Sequence, residues 1–119
     1  MRARRIFPDS CMKLGIILQS NRQEHVWNAL RLAITARKAK HDVRIFLLSE
    51  GVELEHISDT GDFDISKKVK DFTDLGGQIL ACGTCLKSRS QPESATCSIS
   101  TMADLLRMIE ESDKVLTFG

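Results

Sequence analysis

KLGIILQSNRQEHVWNALRLAITARKAKHDVRIFLL, residues 13–48, decides the fold. Its first six residues are short, apolar and rich in branched side chains, which suits a strand buried on both faces. Val26, Ala29, Leu30, Ala33 and Ile34 then recur at spacings of three and four, the stripe of an amphipathic helix. Asn21 and Glu24 stand at capping-box spacing ahead of that stripe. Arg37, Lys38 and Lys40 follow it, where cations meet the negative pole of the helix. VRIFLL, residues 43–48, reads as a second buried strand. Strand, helix, strand in that order is a βαβ unit, with parallel strands and a right-handed crossover.

The pattern continues outward. Residues 49–63 carry acids, Gly51 and Gly61, and predict a loop or a short helix. Asp64 is placed to cap a helix whose apolar stripe is Ile65, Val69, Phe72 and Leu75, and Gly76-Gly77 ends it. QILAC, residues 78–82, predicts a third strand running into a cysteine motif. Cys85 to Arg89 suits one or two helical turns before Ser90-Gln91-Pro92, and ATCSI suits a short fourth strand. Thr101 and Asp104 have capping-box spacing ahead of Met102, Leu105, Leu106 and Ile109, and KVLTF closes the chain as a last strand. The expected architecture is α/β: a three-layer α/β/α sandwich with a mostly parallel sheet of about five strands. Residues 12–119 form its single domain. Residues 1–11, basic and aperiodic, read as a disordered extension or a remnant of cloning, with Met12 as the natural start.

At 119 residues the chain can bury one core. Charged residues are 28% and hydrophobic ones 42%, and the net charge of +1 gives no electrostatic case for nucleic acid or an anionic membrane. Trp27 is the only tryptophan and tyrosine is absent, which weakens any reading built on base stacking. No run approaches the roughly 20 apolar residues of a membrane span. RARR at the N-terminus has no apolar segment behind it, so a secretory signal is not expected and the cytoplasm is. In that reducing compartment Cys11, Cys82, Cys85 and Cys97 are too few for a disulfide framework. They read as catalytic, metal-binding or buried thiols.

ACGTCLKSR, residues 81–89, concentrates the chemistry. Ligands of parallel α/β sheets bind beyond the carboxyl ends of the strands, and Cys82 stands at such an end. Gly83 permits a tight turn, the amides of a following helix point at the sulfur, and Lys87 and Arg89 are near. Together they favour thiolate over thiol. Three rival readings stand beside this one. The cysteines can be small core residues, which is how Cys97 reads. C-x2-C is half of a zinc knuckle, but the second half is missing and His25, His41 and His56 are scattered, so neither metal nor other cofactor is expected. CGTC also suggests a thioredoxin-type pair, yet that fold needs an earlier motif and a later cis-proline, and only Pro92 follows. The thioredoxin fold is disfavoured; dithiol chemistry is not.

The assembled segments resemble the DsrE/DsrF-like family of small α/β proteins, which includes the TusD-type sulfur-relay proteins. The resemblance runs over about residues 12–119. It rests on KLGIILQS, the helix leading to VRIFLLSEGV, LGGQILACGTCLKSR, and STMADLLRMIEESDKVLTFG. It implies a parallel three-layer fold and assembly of the chain with itself, from dimer to hexamer. In the sulfur-transfer members, it implies a cysteine that takes sulfane sulfur as a persulfide and passes it to a partner protein. That cysteine matches Cys82, with Arg89 in the place of a basic residue. Cys85 departs from the relay members, which carry a small non-cysteine residue there. The expected function is thus a small cytosolic persulfide carrier. Cys82 is its nucleophile, Cys85 a resolving or second acceptor thiol, and Lys87 and Arg89 supply positive potential. Gln19, Ser20, Glu50 and Gly51 are expected to border the same mouth. A dithiol redox module with a reversible Cys82–Cys85 disulfide and a non-catalytic oligomeric interaction subunit are the alternatives.

Overall fold

In a computed structural model, residues 11–92 and 94–119 are described. The expectation for the extension 1–11 lies outside the described residues except for Cys11, which is exposed. Five strands form one sheet: β1 (Lys13–Leu18), β2 (Asp42–Leu47), β3 (Gln78–Cys82), β4 (Ser98–Ser100) and β5 (Lys114–Phe118). Their order is β4-β3-β2-β1-β5 and every pairing is parallel, so the sheet is wholly rather than mostly parallel. Ile16 lies opposite Ile45, and Ile45 opposite Ile79, which stacks the three central strands in one register. All three residues are buried, as a strand covered on both faces requires.

Among the described residues, four α-helices connect the strands: α1 (Gln23–Lys38), α2 (Ile65–Asp74), α3 (Gly83–Ser88) and α4 (Met102–Glu111). A 3-10 helix, Ser49–His56, occupies much of the segment expected to be a loop or short helix. The chain steps from β1 to β2 to β3 in one direction, so right-handed crossovers put α1 and α2 on the same face, where they pack together. Val26, Ala29, Leu30 and Ala33 of α1 and Phe72 of α2 are fully buried there. The return from β4 across the sheet to β5 carries α4 over the opposite face. Leu105 and Met108 are its buried anchors, and the Met108 side chain lies over the bare backbone of Gly15.

The helix ends divide. The capping box at Thr101 and Asp104 forms as its spacing predicts, with the Thr101 hydroxyl accepting from the Asp104 amide at 3.2 Å and Asp104 accepting from the Thr101 amide at 2.9 Å. The expected Asn21 box does not form. Helix α1 is entered at Arg22, one residue later, and Asn21 turns instead to Glu53. Asp64 occupies the cap position of α2 without capping it, because its carboxylate accepts the Trp27 indole N–H at 3.0 Å.

The second face is thinly covered. Arg44, near the middle of β2, reaches Glu111 of α4 at 3.1 Å. Helix α4 carries a second apolar stripe, Met102, Leu106 and Ile109, that faces away from the core, with Leu106 56% exposed. No helix among the described residues is long and apolar enough to cross a membrane.

Candidate functional site

Strand β3 delivers Cys82 to the carboxyl edge of the sheet. Its side chain turns back as the N-cap of α3, where Sγ accepts the Cys85 amide at 3.4 Å. One helical turn later, Cys85 lies on the face of α3 that meets the 3-10 helix, and the Ser49 amide donates to its Sγ at 3.3 Å. Cys82 is 3% exposed while Cys85 is half-buried, so the outer sulfur of the pair belongs to Cys85.

The 3-10 helix is seated by Gly51. A Cβ there would stand 2.0 Å from the Leu18 carbonyl oxygen, so only a glycine lets this helix rest on the end of β1. The seat sets Ser49, whose φ of 52 is left-handed and whose amide meets Cys85. It also sets Glu53. The Glu53 carboxylate accepts from Arg89 Nε at 2.8 Å and from Asn21 Nδ2 at 3.0 Å, which ties the loops after β1, β2 and β3 together. The Arg89 guanidinium holds the Glu53 carboxyl below the usual carboxylate range, and Asn21 adds to this.

Electrostatics at Cys82 differ from the expected thiolate. Burial, first, and the neighbouring Cys85 side chain, second, push its thiol pKa up, against the Cys85 amide, which pulls it down. Arg89, expected to lend positive potential, is paired with Glu53 and gives its NH1 to the Cys85 carbonyl at 3.2 Å. Its charge is spent on the backbone that carries the sulfur. Lys87 is exposed on α3.

The other expected residues divide as follows. Gly51 abuts the site as described, and Glu50 is exposed beside it. Gln19 and Ser20 lie on the same edge of the sheet, but at the point where strand order reverses, between β1 and β5. That crevice is closed. The Gln19 amide donates to the Phe118 carbonyl at 2.9 Å, Gly119 packs on Ser20, and the buried Ser20 hydroxyl pairs with His25 at 3.1 Å. Ser49, Glu53 and Asn21 join the site without having been singled out from sequence. The acids of SEGVELEH carry no period that says which one turns inward, and Asn21 was read for its capping spacing.

Cys97 stands apart from the pair. Burial and the nearby Glu55 carboxylate push its thiol up to about 12, which makes it a core thiol rather than a nucleophile. It lines a cavity of about 130 Å³ behind α3, with Glu55, His56 and Ser94. Among the described residues, no group of three or more His, Cys, Asp or Glu side chains is placed to hold a metal ion.

Comparisons with known proteins agree with this architecture. An uncharacterised protein of Methanocaldococcus jannaschii is 33% identical over 103 residues, covering 81% of this chain and 89% of its own. One from Methanopyrus kandleri, also uncharacterised, is 33% identical over 101 residues, covering 81% and 84%. The crystal structure of the YchN protein of E. coli superposes with a TM-score of 0.79 at 28% identity, over 90% of this chain and 99% of that one. The sequence pattern of the DsrE/DsrF-like family matches residues 12–118. The chain therefore belongs to the DsrE/DsrF-like family, which is related to the sulfur-relay proteins.

Proposed function

We propose that this protein transfers sulfane sulfur, carrying it as a persulfide on the thiol pair of the β3–α3 turn. The observation that carries the reading is two free cysteines at the carboxyl end of a central strand, one buried and one facing out, the buried sulfur accepting the amide of the other residue. A persulfide carrier needs a sulfur within reach of its donor and a wall that keeps water and other thiols from the loaded atom. The half-buried Cys85 supplies the reachable sulfur, and the 3-10 helix that meets it at Ser49 walls one side. Membership of a family related to sulfur-relay proteins points the same way. No cofactor is needed, because thiol–persulfide exchange requires only thiolates. The cytoplasm, where thiols stay reduced, is the compartment we propose.

The working form we propose is an assembly of copies of this chain, serving a protein donor or acceptor of sulfur. Its surface is the stripe Met102, Leu106 and Ile109 together with Ile99, which is 49% exposed. Ile99 lies against Gly83, the residue after Cys82, so this apolar patch runs up to the thiol mouth. Cyanolysis tests the transfer reading. Protein treated with a sulfane donor and desalted should yield thiocyanate with cyanide, and should pass the same sulfur to a small thiol. Absence of thiocyanate from the treated protein would sink the reading.

The placing of the two cysteines one turn apart, with the Cys82 sulfur on the Cys85 amide at 3.4 Å, also supports a second reading, a dithiol module that cycles through a Cys82–Cys85 disulfide. A reduction potential in the range of catalytic dithiols, without sulfur uptake, distinguishes it.

A further inference from the structure

We propose that Cys85, and not Cys82, is the sulfur that first attacks an incoming sulfane-sulfur donor, with Cys82 as a positioning residue whose sulfur caps the Cys85 amide. The proposal rests on the sulfur-transfer reading above and reverses the roles that sequence position implies.

Access is the first argument. Thiol exchange proceeds by attack in line with the bond being broken, so the donor must reach the nucleophile with its leaving group pointing to open space. Cys82 is 3% exposed and belongs to the core cluster with Ala81 and Leu86. Its sulfur is folded back under the first turn of α3. Cys85 sits on the outer side of the pair and is half-buried.

Hydrogen bonding is the second. Developing negative charge on Cys85 Sγ meets the Ser49 amide at 3.3 Å. Ser49 keeps a left-handed backbone, φ 52, at a position where a non-glycine residue pays for it in strain. That conformation opens the 3-10 helix whose first amide meets the sulfur. Cys82 has a different part. Its sulfur accepts the Cys85 amide at 3.4 Å and so holds the turn that presents Cys85, while burial favours its protonated form. Backbone support is the third argument. Arg89 is anchored by Glu53 at 2.8 Å and grips the Cys85 carbonyl at 3.2 Å, so the ion pair fixes Cys85 itself.

The step balances as follows. Cys85 loses its proton to solvent, and its thiolate attacks the outer sulfur of a persulfide R–S–SH. A bond forms between Cys85 Sγ and that sulfur as the donor's S–S bond breaks, and R–S⁻ leaves with the electron pair. The product is a Cys85 persulfide; no net oxidation occurs and no further reactant is consumed.

The test uses reduced full-length protein, inorganic polysulfide as donor, and intact mass against time. Cys85→Ser should take up sulfur roughly tenfold more slowly than wild type, or not at all. Cys82→Ser should stay within about threefold of wild type, since its hydroxyl can accept the Cys85 amide in place of the sulfur, whereas Cys82→Ala should be slower than Cys82→Ser. Uptake by Cys85→Ser at the wild-type rate, or loss of uptake in Cys82→Ser with its circular dichroism unchanged, overturns the proposal. Equal rates for Cys82→Ser and Cys82→Ala overturn the positioning role. Wild-type protein pulsed with iodoacetamide gives a reading that needs no variant and no sulfur. Within the peptide that carries both Cys82 and Cys85, fragmentation should place the first alkyl group on Cys85, and a first label on Cys82 overturns the assignment. If wild type takes up no sulfur, the transfer reading has failed, while this alkylation order still decides which thiol attacks.

Discussion

Gly51→Ala should loosen both the fold and the thiol site, because the 3-10 helix has no room to move aside. The added Cβ would stand 2.0 Å from the Leu18 carbonyl oxygen and 2.8 Å from its carbon. Both contacts are with backbone, so no rotamer change relieves them, and one chain must retreat by about 1 Å. The same Leu18 carbonyl accepts the Leu48 amide at 3.0 Å, and Gly51 donates to Leu48 at 2.9 Å. Overpacking of this kind costs about 1–3 kcal/mol, and weakening one buried hydrogen bond adds about 1. A loss of about 2–4 kcal/mol follows, which lowers the urea midpoint by about 1–2 M at the slope usual for small domains. Retreat of the helix also withdraws Ser49 from Cys85, so alkylation of Cys85 should slow while the protein remains folded. A midpoint within about 0.2 M of wild type, with an unchanged alkylation rate, would refute the claim that Gly51 seats the site.

Three further outcomes follow from other parts of the molecule. Cys97 keeps its proton in the folded state up to about pH 12 against an ordinary value of 9.0, so stability is intact below pH 9 and declines as pH rises between the two. The loss should reach about 2 kcal/mol by about pH 10.5, and Cys97→Ala should flatten that slope in urea titrations; an equal slope in both proteins contradicts the assignment. Thr101→Ala removes half of the capping box of α4 and should cost about 1 kcal/mol, whereas Ser at that position should cost little. Leu106→Lys, at an exposed position, should leave monomer stability within about 0.5 kcal/mol yet shift light-scattering mass toward the monomer. An unchanged mass would exclude α4 as the assembly surface.

Much of the fold was legible because its elements are strongly periodic. The runs KLGIIL and VRIFLL are too short and too apolar for anything but buried strands, and the stripe from Val26 to Ile34 admits only a helix between them. Strand order beyond β3 was not legible. Placing β5 beside β1 depends on α4 crossing the second face, where the Met108 side chain meets Gly15, a contact nearly a whole chain apart in sequence. At the site, C-x2-C after QILAC announced both thiols and the carboxyl edge of the sheet. Which sulfur faces outward depends on how α3 meets the 3-10 helix, and no local pattern encodes that. The positive potential expected from Arg89 failed for the same reason. Its partner, Glu53, lies 36 residues away in a segment read as a loop or short helix. The three cap positions tell the same story on a smaller scale. Thr101 caps because nothing else competes for its hydroxyl, while Asn21 and Asp64 are drawn off by Glu53 and Trp27 from distant elements.

Intact mass spectrometry of wild type and the Cys82→Ser/Cys85→Ser double variant, each reduced and exposed to inorganic polysulfide, tests the central claim most directly. Wild type should gain the mass of one sulfur atom more than the double variant and lose it again on treatment with a reductant. Equal gain in both proteins, or none in wild type, would contradict a sulfur-carrying role for this thiol pair.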